Sequence, residues 1–313
     1  MDLARNLIGR INVGDSLTRS AAARPGKLAV VDGDRRFSYA DFNAYVNRLA
    51  HGLAGLGYER GAALAVASGN SADFLAVYYA CAKLGVVCVP INLGWRPDEV
   101  AYVLGHSRAR GVVIETQLVA AMRDAVAKVP EVLDVIVAPG LQDQAAEQEP
   151  GDRAWTTLDA LSGHGRADEP ERLVDDRDAV SYLYTSGTTS FPKGVSGSHL
   201  AIYLESMSAA LGAGLRADDR FAAMMPMFHT AQLNGFGTPA VMVGATTYML
   251  RGFDPAALLD LIERERITQI FGLPIMYRAL LDHDGFAGRD LSSLRRATYA
   301  MAPMPDDLAL IHI

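Results

Sequence analysis

The chain has 313 residues, half of them apolar, and a formal net charge of −7. This length allows a large core and exceeds the size at which single cores usually divide, so we expect two lobes. Lysine and arginine are scattered without a basic stripe, which argues against nucleic-acid binding.

The N-terminal half alternates short strands with helices. It begins without the basic region and apolar run of a secretory signal. Asp32-Gly33-Asp34, between two strand-like runs, predicts a hairpin, and Ser38 predicts the cap of a helix that ends at Gly57. Apolar strands that alternate with helices predict a parallel sheet covered on both faces. The predicted strands are 63–67, 86–90, 112–114 and 135–137, and the predicted helices are 71–84, a short one from 97, and 118–129.

The most apolar window, residues 75–91, contains Lys83, Gly85 and Pro90, so it predicts a helix, a turn and a buried strand. We therefore expect no transmembrane segment. The same window holds both cysteines, Cys81 and Cys88, which we interpret as small buried apolar residues. Two cysteines are too few for a disulfide framework and favour the reducing cytoplasm.

A polar and acidic stretch from about residue 142 to 178 predicts a surface linker. After it, strands are predicted at 179–184, 221–225, 246–250, 268–271 and 297–300, again alternating with helices. We therefore predict a first α/β subdomain over 1–178, with the N-terminal hairpin and the linker. A second α/β subdomain, 179–313, is predicted to begin with the loop described next.

The strongest functional pattern follows the strand at 179–184. Four hydroxyl residues surround a glycine, and a Pro-Lys-Gly follows. Hydroxyls and backbone N–H groups can donate to phosphate oxygens, glycine allows close approach, and lysine supplies positive charge, so the loop suits a triphosphate. It is not a Walker loop, because five residues separate Gly187 from Lys193. A solvated Ser/Thr-rich turn is the alternative. The candidates for nucleotide binding are Thr185, Ser186, Gly187, Thr188, Thr189, Ser190 and Lys193.

This loop resembles the signature loop of the adenylate-forming superfamily, which comprises acyl- and aryl-CoA synthetases, peptide-synthetase adenylation domains and luciferases. Residues 39–42 and 85–92 resemble two other family segments, and the chain looks most like a bacterial fatty-acyl-CoA synthetase over its whole length. The resemblance implies the large N-terminal domain of that fold, α/β with two doubly wound, mostly parallel sheets sandwiched by helices. The family's C-terminal lid is absent, and the second subdomain is expected to be truncated, so we interpret the chain as part of a longer protein.

The resemblance also implies roles for later residues. His229 is expected between the acyl pocket and the adenylate, and to act in catalysis together with Lys193; a structural histidine is the alternative. The other histidines are assigned no role. Candidates for the substrate pocket are His229, Asn234, Phe236, Gly237, Pro274, Met276 and Met301, with ordinary core packing as the alternative. The segment that passes the adenine adds the nucleotide-binding candidates Ala300, Met301, Ala302 and Pro303.

Two residues depart from the family pattern. Met301 stands where a small residue is usual, and Ser190 where glycine is usual. Both motivate an alternative function, a ligase that adenylates poorly and uses a preformed acyl-adenylate. A non-catalytic fragment that binds nucleotide or acyl ligand is another alternative.

The function implied is ATP-dependent activation of a fatty or similar apolar carboxylic acid, followed by thioester formation with CoA. The expected ligands are the acid, ATP, CoA and Mg²⁺, with Thr188 as a candidate contact to the metal through ATP. A carrier protein as the acceptor, as in a peptide-synthetase adenylation domain, and a homodimer stay open.

Overall fold

Two sheets, each mostly parallel, organise the chain. The computed structural model describes residues 2–140, 153–163, 166–185, 191–306 and 308. The strands in these ranges are β1 (Leu28–Asp32), β2 (Arg35–Ser38), β3 (Ala63–Ala67), β4 (Val87–Pro90), β5 (Ala109–Glu115), β6 (Asp134–Ala138), β7 (Ala154–Thr157), β8 (Ala179–Thr185), β9 (Lys193–Ser198), β10 (Arg220–Ala223), β11 (Thr246–Met249), β12 (Gln269–Gly272) and β13 (Arg296–Tyr299).

Helices connect these strands. They are α1 (Leu3–Gly9), α2 (Val13–Ala23), α3 (Tyr39–Gly55), α4 (Ala72–Leu84), α5 (Pro97–His106), α6 (Val119–Ala127), α7 (Leu158–Ser162), α8 (His199–Gly212), α9 (Thr230–Gln232), α10 (Thr238–Val243), α11 (Pro255–Glu265) and α12 (Pro274–Leu281). A 3₁₀ turn, Thr116–Leu118, precedes α6, and a π-helical segment, Leu233–Gly237, joins α9 to α10.

The first sheet has seven strands in the order β7-β6-β5-β3-β4-β8-β9, and the second has six in the order β13-β12-β10-β11-β1-β2. Each sheet is parallel apart from one hairpin at its edge, β8–β9 in the first and β1–β2 in the second. The predicted fold class, two doubly wound and mostly parallel sheets covered by helices, is confirmed.

Each sheet includes at least one strand from the other side of the predicted boundary at residue 178. Strand β8, which follows the boundary, pairs with β4 at Ser181 and Cys88 in the first sheet. Strand β1, near the N terminus, pairs with β11 at Val30 and Thr247 in the second. The boundary at residue 178 thus does not divide the sheets, and a subdomain division there stays a prediction. The predicted linker also contains regular structure, since β7 and α7 lie within it.

Local sequence explains several helix starts. The hydroxyl of Ser38 accepts a hydrogen bond from the backbone N–H of Asp41, and that of Ser71 accepts one from Phe74. The carboxylate of Asp254 does the same for Ala257 before α11. These side chains satisfy N–H groups that a helix leaves unpaired in its first turn. The predicted cap at Ser38 is therefore confirmed, and Ser71 caps the helix predicted to begin there.

The largest apolar core contains residues of both sheets, with α4 in the middle. Every residue of α4 is buried, and the core joins its Tyr78 and Tyr79 to Phe221 of β10 and Phe271 of β12. Cys81 and Cys88 are buried with free thiols, as interpreted from the sequence. No described helix combines the length and apolar character that crossing a bilayer requires.

Candidate functional site

The β8–β9 hairpin carries the predicted phosphate loop between its two strands. Thr185, the last residue of β8, is the cross-strand partner of Lys193, the first of β9, and both are exposed. A hydroxyl and an ammonium group therefore stand at matching positions on the two strands. The remaining candidates of the loop, Ser186, Gly187, Thr188, Thr189 and Ser190, lie outside the described residues.

The base of this hairpin is packed tightly. Tyr184 and Gly194 are cross-strand partners, and a Cβ atom added to Gly194 would lie 2.9 Å from Cζ of Tyr184. Only glycine leaves room for the tyrosine ring against this strand. The glycine after Lys193 is thus explained by packing beneath the loop.

Asn70 joins the carboxyl end of β3 in the first sheet to the second sheet. Its amide nitrogen donates to the carbonyl oxygens of Met225 (2.8 Å) and Leu250 (3.0 Å), and its Oδ1 accepts from the N–H of Met227 (2.8 Å). Asn70 is 3% exposed. It therefore fixes the segment that leads from β10 to His229. Asn70 was not predicted from the sequence; the available signal was a polar residue in the short segment between the apolar strand β3 and helix α4.

A buried ion pair reinforces the same junction. Glu115, at the end of β5, accepts a hydrogen bond from the N–H of Gly69 (2.9 Å) and pairs with Arg251, which follows β11. Glu115 is 1% exposed. A buried carboxylate is tolerated only with such partners. The carboxyl ends of both sheets thus meet here.

His229 lies two residues after the Asn70-bound Met227 and precedes α9. Its ring centroid is 4.7 Å from that of Phe228, and the residue is exposed. Partial burial of the imidazole lowers the pKa of His229 below its ordinary value. The ring is therefore neutral at physiological pH and able to donate and accept hydrogen bonds.

Asn234, Phe236 and Gly237 lie in the π-helical segment, and all three are buried. Oδ1 of Asn234 accepts a hydrogen bond from the hydroxyl of Tyr78 at 3.0 Å, and its amide donates to Oγ1 of Thr230 at 3.2 Å. These contacts are those of core packing. Single-turn π-helical insertions nonetheless occur frequently at functional sites. A role of these residues in the substrate pocket stays a prediction.

Phe236 is the middle ring of an aromatic stack between the second sheet and the π-helical segment. Its centroid is 5.2 Å from that of Phe221 and 4.4 Å from that of Phe271. The stack fills the space beside β10 and β12 with aromatic carbon and ties Phe236 to the sheet.

Pro274 and Met276 begin α12, directly after β12. A Cβ atom added to Gly272 would lie 2.9 Å from Cε of Met224 and 3.3 Å from Sδ of Met276. Flexible thioethers thus border the end of this strand, where they can adapt to an apolar ligand.

Ala300, Met301, Ala302 and Pro303 follow β13, and all four are exposed. Strand β13 pairs with β12 so that Tyr299 lies beside Gly272. The structure therefore brings this segment near Pro274 and Met276, at neighbouring strand ends. Met301 has φ +68°, a left-handed conformation that favours glycine.

A cavity of about 480 Å³ flanks the same segment. Its lining includes Tyr277, Ala297, Tyr299 and Met304, so residues on both sides of the Ala300–Pro303 stretch face it. The exposed ring of Tyr299 offers aromatic surface of the kind on which a flat base can stack, whereas Tyr277 is buried.

The described residues form two neighbourhoods rather than one closed site. Thr185 and Lys193 occupy the hairpin; His229, Pro274, Met276 and residues 300–303 follow strands of the second sheet. Within the described ranges, no hydrogen bond joins Lys193 to His229, and no group of three or more His, Cys, Asp or Glu residues could hold a metal ion.

Comparison with known proteins gives a consistent result. The sequence profile of the AMP-binding enzyme family matches residues 17–310. The long-chain-fatty-acid–CoA ligase FadD13 of Mycobacterium tuberculosis is 32% identical over 96% of this chain and 57% of its own. The feruloyl-CoA synthase of an Amycolatopsis species is 32% identical over 95% of this chain and 56% of its own.

Solved structures agree with these matches. The N-terminal domain of FACL13 from Mycobacterium tuberculosis superposes with a TM-score of 0.84 at 30% identity, and the match covers 96% of this chain and 72% of that one. The chain thus spans a little over half the length of the two curated relatives.

Proposed function

The chain belongs to the AMP-binding enzyme family, and from this premise we propose that the protein activates a carboxylic acid with ATP and passes the acyl group to CoA. The carboxylate attacks the α-phosphorus of ATP, and pyrophosphate leaves, which gives the acyl-adenylate. The CoA thiolate then attacks the acyl carbon, and AMP leaves. Acceleration of the first step depends mainly on positioning and on stabilisation of charge.

One observation carries the proposal: Thr185 and Lys193 face solvent at paired positions on the two strands that bound the hydroxyl-rich loop. The lysine ammonium is a point charge suited to phosphate, and the threonine hydroxyl is a donor. With these groups present, the hairpin fits the β- and γ-phosphates of ATP. The cavity lined by Tyr299 and Met304, which flank residues 300–303, is the proposed place for the adenine.

Mg²⁺ is proposed to arrive with ATP and to offset the phosphate charge. Thr188, its candidate contact, lies outside the described residues. CoA as the acceptor is supported by the names of the relatives, a long-chain-fatty-acid–CoA ligase and a feruloyl-CoA synthase. A carrier protein as the acceptor and a homodimer stay open.

We propose a fatty or similar apolar acid as the substrate. The residues around the end of β12, among them Phe236, Pro274 and Met276, are apolar, and thioethers adapt to ligands of different shape. His229, neutral and placed by the segment that Asn70 holds, is the proposed polar group between acid and adenylate. The free thiols of Cys81 and Cys88 support the cytoplasm as the compartment.

A second function is favoured by Met301. Its left-handed backbone carries a bulky side chain, which is 62% exposed beside the proposed adenine segment. This side chain could narrow the space for adenine. The protein would then adenylate poorly and form the thioester from a preformed acyl-adenylate.

Isotope exchange between pyrophosphate and ATP separates the two functions. The protein at its natural length is assayed with long-chain, short-chain and aromatic acids, with and without CoA. The main proposal predicts exchange that requires an apolar acid and does not require CoA. Absence of exchange with every acid, together with thioester formation from added acyl-adenylate, would support the second function instead.

A further inference from the structure

Four aromatic rings form a continuous column between α5 and the β8–β9 hairpin. The two rings of α5 lie in the middle, and the two rings of the hairpin lie at the ends. The ring of Phe191 stacks on that of Tyr102 at 4.6 Å between centroids, and Tyr102 stacks on His106 at 5.3 Å. His106 meets Tyr184 edge to face at 5.7 Å, and Nδ1 of His106 lies 2.7 Å from the hydroxyl of Tyr184. Tyr102 and His106 are four residues apart on α5, the spacing that places side chains on one helix face.

The column contacts both sides of the phosphate loop. Tyr184 immediately precedes Thr185, and Phe191 lies two residues before Lys193. Tyr184 is 6% exposed and also packs beneath Gly194, whereas Phe191 is half exposed and has Tyr102 as its stacking partner. A single helix therefore holds the two strands at the points where they enter and leave the loop.

One hydrogen bond closes the column at Tyr184. Burial raises the pKa of Tyr184 to about 12, so the phenol stays protonated at physiological pH. Its hydroxyl can donate to Nδ1 of His106 or accept from it, and the tautomer of the imidazole decides which.

Strand β9 pairs with one strand only, β8. It lies at the edge of the first sheet, and Lys193, Gly194, Val195 and Ser196 are all exposed. Two glycines, Gly194 and Gly197, give it low intrinsic strand preference. The stacking of Phe191 on Tyr102 therefore restrains the end of the hairpin that bears Lys193.

We infer that Tyr102 and His106 are positioning residues for the nucleotide: through Phe191 and Tyr184 they fix, relative to α5, the hairpin end that bears the paired Thr185 and Lys193, and so place both groups for contact with the β- and γ-phosphates. The inference rests on the proposed function. It assigns a role to a histidine that carried none in the sequence. Because AMP lacks these two phosphates, the column should matter for ATP and not for AMP.

Titration calorimetry with Mg·ATP and with AMP tests this on the protein at its natural length. Tyr102→Ala and His106→Ala should each weaken Mg·ATP binding about tenfold and leave AMP affinity within about twofold of wild type. Tyr102→Phe should restore ATP affinity, since it keeps the stacked ring. The control Trp155→Ala removes a half-buried aromatic ring from β7, at the opposite edge of the same sheet, and should change neither affinity.

The variant Lys193→Ala distinguishes failure of this inference from failure of the proposed function. Two results would overturn the inference when Lys193→Ala binds Mg·ATP more weakly than wild type does. One is an equal loss of ATP and AMP affinity in Tyr102→Ala, and the other is wild-type affinity of a folded Tyr102→Ala variant for both nucleotides. If Lys193→Ala also binds Mg·ATP like wild type, the proposed function fails and the inference with it. Should Tyr102→Ala not fold, the exposed His106 provides the deciding variant.

Discussion

The side-chain amide of Asn70 donates a hydrogen bond to the backbone carbonyl of Met225 at 2.8 Å. Asn70 follows a strand of the first sheet, and Met225 follows a strand of the second. The bond therefore connects the carboxyl ends of the two sheets, where the candidate site lies. Oδ1 of the same amide accepts from Met227, two residues before His229.

Replacing Asn70 with alanine should therefore lower the stability of the folded protein. The change leaves three buried backbone groups without their partner, and we expect a loss of about 2–4 kcal/mol in the free energy of unfolding. Urea denaturation measures it. The control is Asn92→Ala, which removes a bond to the N–H of Gly94 in an exposed turn and should cost less than about 1 kcal/mol. Similar costs for both variants would contradict this role of Asn70.

Two adjacent tyrosines provide a matched pair. Tyr78 and Tyr79 are both fully buried. The hydroxyl of Tyr78 donates to Asn234, whereas that of Tyr79 has no partner at hydrogen-bonding geometry within the described part of the chain. Tyr78→Phe should cost about 1–2 kcal/mol, because Oδ1 of Asn234 loses its donor, and Tyr79→Phe should be neutral or slightly stabilising. Chemical denaturation of both variants checks this, and the reverse order would contradict the assigned bond.

His199 should make stability depend on pH. Burial outweighs the nearby carboxylates of Asp178 and Asp15 and lowers the pKa of His199 to about 4, from an ordinary 6.5. The unfolded chain binds a proton below pH 6.5 while the folded chain does not, so acid favours unfolding. This residue alone should reduce the free energy of unfolding by about 1.4 kcal/mol for each pH unit between those two pKa values.

His199→Gln isolates this effect from the carboxylates that also titrate in acid. The difference in unfolding free energy between wild type and variant should narrow steadily as the pH falls from 6.5 towards 4. Denaturation curves at several pH values measure it. A difference that stays constant over this range would show that His199 does not titrate as the structure implies.

Helices and strands with a clear local sequence pattern were predictable from the sequence. Helix α4 begins directly after its Ser71 cap and ends before Gly85, which agrees with the helix predicted over 71–84. Strand β9 was not predicted, because its two glycines conceal a strand that forms only by pairing with β8. The placement of β1 beside β11 joins residues more than 200 positions apart, and no local pattern encodes that pairing.

In the candidate site, too, the features defined by local sequence were predictable and those that depend on distant partners were not. The loop around Lys193 was recognised because its chemistry is contiguous in sequence. Asn70 and His106 were missed because their partners, Met225 and Tyr184, are distant in sequence. In α5 the only local hint was an aromatic pair, Tyr102 and His106, on one helix face.

The most direct test of the account is the affinity of Lys193→Ala for Mg·ATP, measured by titration calorimetry. The control is Lys128→Ala, an exposed lysine that pairs with Asp98 near the end of α6. The account predicts at least about a tenfold loss for Lys193→Ala and wild-type affinity for Lys128→Ala. Wild-type binding by a folded Lys193→Ala variant would contradict the claim that the β8–β9 hairpin holds the phosphates of ATP.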